Sequence, residues 1–197
     1  TLQSTLYPDH PYGETILGKP KHLKNPSIVE LHQHSDRYYV PNNMAIIISG
    51  DINLDSTLKL VESHFGSLSQ RPLQPSTIKP PKPLTGVNRV TLTFEGEESV
   101  NMAWRTVEKN HPDAPALELF DMILDNQVAG LINLNLQQPQ RVRSAGSYPL
   151  LLNHAGAQYF YATPRKGQSL LDLEKLIIEQ VELVKQGKFE DWILDAI

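Results

Sequence analysis

The chain has 197 residues, with 18 Lys and Arg against 22 Asp and Glu and a formal net charge of −4, which argues against the basic excess that a nucleic-acid surface needs to neutralise phosphates. Hydrophobic residues make up 40%, enough for a buried core in one large or two small domains, and no apolar run approaches the roughly 20 residues that cross a bilayer. Cysteine is absent, which excludes disulfides, thiol nucleophiles and Cys-ligated metal, and fits a reducing cytosol as well as an envelope protein that avoids thiol chemistry.

In chain order, residues 1–20 read as loop, broken by Pro8, Pro11, Pro20, Gly13 and Gly18. A helix is predicted from Asn25-Pro26-Ser27, with Asn25 as N-cap and Pro26 at the first helical position, ending at Pro41. Residues 44–49 (Met-Ala-Ile-Ile-Ile-Ser) form an apolar run that predicts a buried strand closed by Gly50-Asp51, where a tight turn asks for a small residue. A helix over 55–65 carries Leu58, Val61 and Phe65 as its inward stripe and stops at Gly66.

Prolines 72, 75, 80, 81 and 83 then mark an extended connector and the best internal boundary. Two alternating segments, 90–94 and 100–104, predict a hairpin turning near Gly96. Helices follow at 116–124 and 129–136, strands at 144–153 and 157–162, and a long helix opened by the capping box Ser169-Leu170-Leu171-Asp172 and closed by Gly187. Thr1 follows no initiator methionine, and Ile197 falls inside an amphipathic pattern with Phe189, Trp192 and Ile193, so the chain reads as a segment of a longer polypeptide. Strands and helices come in adjacent pairs, which predicts an α+β fold of two layers, with helices on one face of a mostly antiparallel sheet.

The chemistry-bearing residues make no complete site. His32 and His34 stand about 200° apart around a helix, so they cannot chelate one ion. His10, His22, His64, His111 and His154 are isolated, and neither HExxH nor HxxEH occurs. GxSxG, SxxK and Gly-rich phosphate cradles are also missing. The pairs Glu97-Glu98 and Asp121/Asp125 read as solvated charges, and Tyr38, Tyr39 and Trp104 as core or domain-interface aromatics. No catalytic residue and no metal ligand is assigned.

An ordered series in the first 68 residues carries a resemblance. It comprises Tyr7-Pro8-Asp9-His10-Pro11-Tyr12-Gly13, Ile16-Leu17-Gly18, Leu23-Lys24-Asn25-Pro26-Ser27, Tyr38-Tyr39-Val40-Pro41-Asn42-Asn43-Met44, Ser49-Gly50-Asp51 and His64-Phe65-Gly66. This series closely resembles the pitrilysin/insulinase family of inverted HxxEH zinc metallopeptidases, which includes the mitochondrial processing peptidases. Lys185-Gln186-Gly187-Lys188-Phe189 resembles a turn late in that family's second domain.

The resemblance implies the metallohydrolase fold of the mitochondrial processing peptidase type, and a segment downstream of the zinc motif. Residues 1–70 would end a first peptidase-type domain, 71–86 form the connector, and 87–197 most of a non-catalytic second domain, truncated in its last helix. The parent would be a zinc endopeptidase that hydrolyses peptides or unfolded polypeptides in an enclosed chamber. This segment would supply wall and packing, with no cofactor of its own, and would be inactive alone. Its partners would be the zinc-bearing domain, the other half of the parent or a partner subunit, and a peptide substrate. A family arginine and tyrosine that hold substrate align with Gln137 and Ser144, so the pair is missing on the plain reading, with Arg141, Arg143 and Tyr148 as substitutes to consider. An inactive paralogue serving as scaffold or partner subunit is the alternative, and a free-standing binding module a third reading. The cell envelope or periplasm is favoured over the cytoplasm.

Overall fold

The structure is a computed structural model that describes residues 1–73 and 77–197; Pro75 of the connector lies outside the described residues. The chain forms two compact units, one of Thr1–Glu14 with Ile78–Ile197 and the other of Thr15–Thr77.

The first unit is built on an antiparallel sheet of β1 (Val100–Thr106), β2 (Ser144–Leu151) and β3 (Gly156–Thr163), in the order β1-β3-β2. Period-two alternation gives the sheet two different faces. Met102, Phe160, Ala162 and Ala145 point to one face and pack with Leu124 of α5 (Ala114–Leu124) and Leu173 and Ile177 of α6 (Leu170–Lys185). Ala103, Ala157, Tyr159 and Leu150 point to the other, where Leu6 of the short α1 (Leu2–Leu6) and Tyr7 cover part of it. The α+β class expected from the sequence is the one observed.

Helix starts follow their capping chemistry. The Ser169 hydroxyl accepts from the Asp172 N–H at 3.2 Å, and Gly187 follows α6 with φ +63°. The second unit contains α2 (Pro20–Leu23), α3 (Ile28–Tyr38) and α4 (Leu54–Phe65). The cap of α3 is Ser27, whose hydroxyl accepts from the Glu30 N–H, rather than the expected Asn25. The side chain of Asn53 does the same work for α4. The last expected helix is a single turn, α7 (Trp192–Asp195).

Two expected strands do not form. Residues 44–49 join no ladder among the described residues, and Ile47 is 91% exposed. An apolar run describes an environment, whereas a strand also needs a hydrogen-bonded neighbour, and the described residues of Thr15–Thr77 supply none. Residues 90–94 likewise do not pair with β1, whose ladder runs to β3. The flanks of this stretch are held elsewhere: Arg89 grips Glu174 of α6 through two bonds of 2.5 and 2.6 Å, and Glu97 pairs with Arg143. The outcome for the hairpin is therefore one strand, not two.

Candidate functional site

Each histidine has a local role or stands alone. His32 and His34 lie on α3, where the His34 ring sits 4.7 Å from that of Tyr38. His111 caps the turn before α5, accepting from the Asp113 N–H at 3.1 Å. His10 is buried at 6% exposure, while His22 and His64 belong to exposed helix surfaces. Among the described residues no group of three or more His, Cys, Asp and Glu could hold a metal ion, so the residues present do not fit a zinc centre. No helix among them is long and apolar enough to cross a membrane.

The positions aligned with a substrate-holding pair are occupied as follows. Gln137 ends a wide helical turn (Asn133–Gln137) and Ser144 opens β2. The substitutes are engaged elsewhere: Arg141 pairs with Glu179 at 3.4 Å, and Arg143 with Glu97. Tyr148 stacks on Tyr159 with centroids 5.1 Å apart and is half exposed. It lines an open groove of about 400 Å³ together with Tyr161, Asn101 and the first three residues. The groove is open and largely aromatic, and its lining contains no His, Cys, Asp or Glu.

The most ordered polar chemistry lies under the opposite face of the sheet. Asp121 of α5 is 8% exposed, and one of its carboxylate oxygens accepts from the Ser147 hydroxyl at 2.6 Å and from the Gln158 amide at 2.5 Å. Asp125 accepts from the Ser147 N–H at 2.9 Å. Burial raises the Asp121 pKa and the charge of Asp125 adds to that, while the bonds from Ser147 and Gln158 work against it. This corrects the expectation that Asp121 and Asp125 are merely solvated charges, since Asp121 belongs to the interior. A signal was present: Asp121 falls four residues after Leu117 and three before Leu124, on the apolar side of its helix, and Ser147 and Gln158 occupy inward positions of their strands. Trp104 packs edge-on against Phe160 at 5.1 Å and remains partly exposed, and Tyr39 is exposed rather than core.

Among the described residues the arrangement is one of packing and polar bonds, with Gln158 Oε1 buried and unpartnered beside the Asp121 network. The description "Peptidase M16 inactive domain" matches residues 27–197. The chain is 24% identical over 200 residues to the zinc protease PqqE of Helicobacter pylori, covering 98% of this chain and 45% of that protein. It therefore spans under half the length of this relative. Among solved structures, a protease from Helicobacter pylori superposes with a TM-score of 0.84 at 22% identity, over 97% of this chain and 48% of that one. The first half of the periplasmic protease PqqL from Escherichia coli gives 0.60 at 16% identity, over 91% of this chain and 40% of that one. The resemblance drawn from the first 68 residues and the match over 27–197 lead to one family, and the chain belongs to it as a peptidase M16 inactive domain.

Proposed function

We propose that this chain is the non-catalytic part of a zinc-dependent endopeptidase and supplies chamber wall and packing rather than ligands. The observation that carries the proposal is the state of Thr15–Thr77. Ile28, Val29 and Leu31 of α3, Leu58 of α4 and the strand-competent run Ile46, Ile47 and Ile48 are all exposed there. A unit with this much uncovered apolar surface and an unpaired strand sequence is the remainder of a larger domain. On this reading residues 1–70 complete a preceding peptidase-type domain, 71–86 connect, and 87–197 form most of a second domain. The first fourteen residues fold back onto that second domain. The zinc ligands, the other half of the protein or a partner subunit, and the peptide substrate then lie outside this chain. Similarity to a protein described as periplasmic supports a place in the bacterial cell envelope.

The test is zinc content and peptide hydrolysis by the longer polypeptide that carries this chain. One zinc per polypeptide and cleavage of an unfolded peptide are expected. A folded, metal-supplemented protein with neither would replace the proposal by its alternative, a scaffold or partner subunit. Gln137 and Ser144, standing where the family's substrate-holding pair would be, fit both readings: a segment of the zinc-bearing half, with the pair in the other half, and an inactive copy.

A further inference from the structure

We propose that residues 7–13 form an acid-released clasp, in which neutral His10 holds the leading segment on the β1–β3 pair and protonation of its ring lets that segment go. The clasp is built within one unit. The Tyr7 hydroxyl donates to the Gly156 carbonyl at 2.5 Å, Arg105 Nε donates to the Leu6 carbonyl at 2.6 Å, and the Arg105 guanidinium lies 5.0 Å over the Tyr7 ring. The His154 N–H donates to the Tyr12 hydroxyl at 3.2 Å. His10 sits among these groups, its ring 5.8 Å from Tyr7 and 4.7 Å from Tyr12.

The imidazole has a definite task. His10 Nδ1 accepts from the Tyr12 N–H at 3.1 Å and so caps the single turn Pro11–Gly13. A ring that accepts at Nδ1 carries its one proton on Nε2, so a second proton can go only to Nδ1, where it would face the Tyr12 N–H. Two donors would then oppose each other and the cap would be lost. The charged groups around the ring do not compensate. Burial first, then His154 from the β2–β3 turn and Arg105 from β1, disfavour a cation at His10, and only the Lys79 backbone carbonyl, as an acceptor, favours one. The neighbouring Asp9 carboxylate is engaged by Lys82 at 3.3 Å. The hold of the clasp is therefore complete above the ordinary histidine pKa and declines as pH falls from there through the lowered value of the folded state. The core formed by α5, α6 and the other sheet face contains none of these groups.

The experiment is amide hydrogen exchange by mass spectrometry on the 197-residue chain over a pH series from about 7.5 to about 5.5, corrected for intrinsic rates. A loss of protection of about tenfold or more is expected in Thr1–Glu14 at the lower pH, with Leu170–Lys185 unchanged as internal reference. His10→Asn keeps an acceptor for the Tyr12 N–H and removes the titration, so its segment is expected to stay protected at both values. His154→Gln removes a neighbour that disfavours charge at His10 while keeping the backbone donor to Tyr12, and is expected to move the release midpoint to higher pH. Equal protection in the wild type at both values would overturn the clasp. So would an equal loss in His10→Asn, an unmoved midpoint in His154→Gln, or a parallel loss in Leu170–Lys185.

Discussion

At Asp121 a carboxylate lies beneath the sheet with two donors on one oxygen, and its neighbour Asp125 adds charge of the same sign. Removing the acceptor leaves the Ser147 hydroxyl and the Gln158 amide buried without it. Asp121→Ala is therefore expected to cost about 1–3 kcal/mol, read from the shift in urea midpoint at constant slope. Asp121→Asn keeps an acceptor oxygen and removes the charge. Because the folded state raises the Asp121 pKa above its unfolded value, the ionised form is penalised above that raised value. As pH falls through it, the folded chain takes up a proton before the unfolded chain does, and the penalty disappears. The Tm of Asp121→Asn relative to wild type should consequently be most favourable near neutral pH and shrink on acidification; a difference that grows on acidification would contradict the assignment. Tyr7 behaves differently. Its hydroxyl is buried against Gly156, and burial first, then Tyr159, push its pKa up to about 12, so it remains a donor throughout the working range. Tyr7→Phe should cost roughly 0.5–1.5 kcal/mol with no pH dependence between about pH 7.5 and pH 9, where the clasp is closed.

The helices show how a cap and a stripe act together. Ser169→Ala removes the bond to the Asp172 N–H at the start of α6 and should lower stability by about 1 kcal/mol. Ile177→Ala opens a cavity at a fully buried position of the same helix and should cost about 2–5 kcal/mol. If the two effects were equal, the helix would be held by its cap as much as by its packing. Gly50 has φ +146° with nothing near a built Cβ, so Gly50→Val is expected to destabilise through backbone strain rather than through a clash. An unchanged Tm for that variant would show that the turn relaxes. The periodicities of α5 and α6 were readable because burial on one side leaves its mark in every turn, whereas the stripe of Leu58, Val61 and Phe65 on α4 has no buried member, Leu58 and Phe65 being exposed. Residues 44–49 and 90–94 form no ladder among the described residues for a related reason. Their side-chain pattern is that of a strand, but the partner that completes a ladder is not encoded in the run itself. The Asp121 network was half legible: the inward positions of Asp121, Ser147 and Gln158 could be read, but not the pairing that brings three distant residues onto one oxygen. For His10 the sequence showed a loop residue, and only the fold supplies the ring partners and the nearby Arg105.

At the scale of the whole chain the two units are unlike in what they bury. The unit with the sheet encloses Leu124, Ile132, Leu136, Leu173 and Ile177, while Thr15–Thr77 leaves most of its large apolar side chains in solvent. Proteolysis should consequently open 15–77 before 114–185, and a hydrophobic dye should bind the isolated chain and be displaced when the chain is produced as part of the longer protein. Equal dye binding per molecule in both contexts would remove the argument that this surface belongs against another domain. The isolated chain is also expected to retain no stoichiometric zinc after gel filtration, and one tightly held ion per chain would overturn that expectation.

The bond from Tyr7 to Gly156 joins residues 149 apart. During synthesis the first fourteen residues can therefore meet Arg105 of β1 but cannot complete their seat until the last strand of the sheet has left the ribosome. At about 5–20 residues per second that interval is roughly 7–30 s, far longer than a small domain needs to fold. Nascent chains of this protein would spend it with Leu6 and Tyr7 uncovered, which makes the leading segment a natural place for a chaperone to hold.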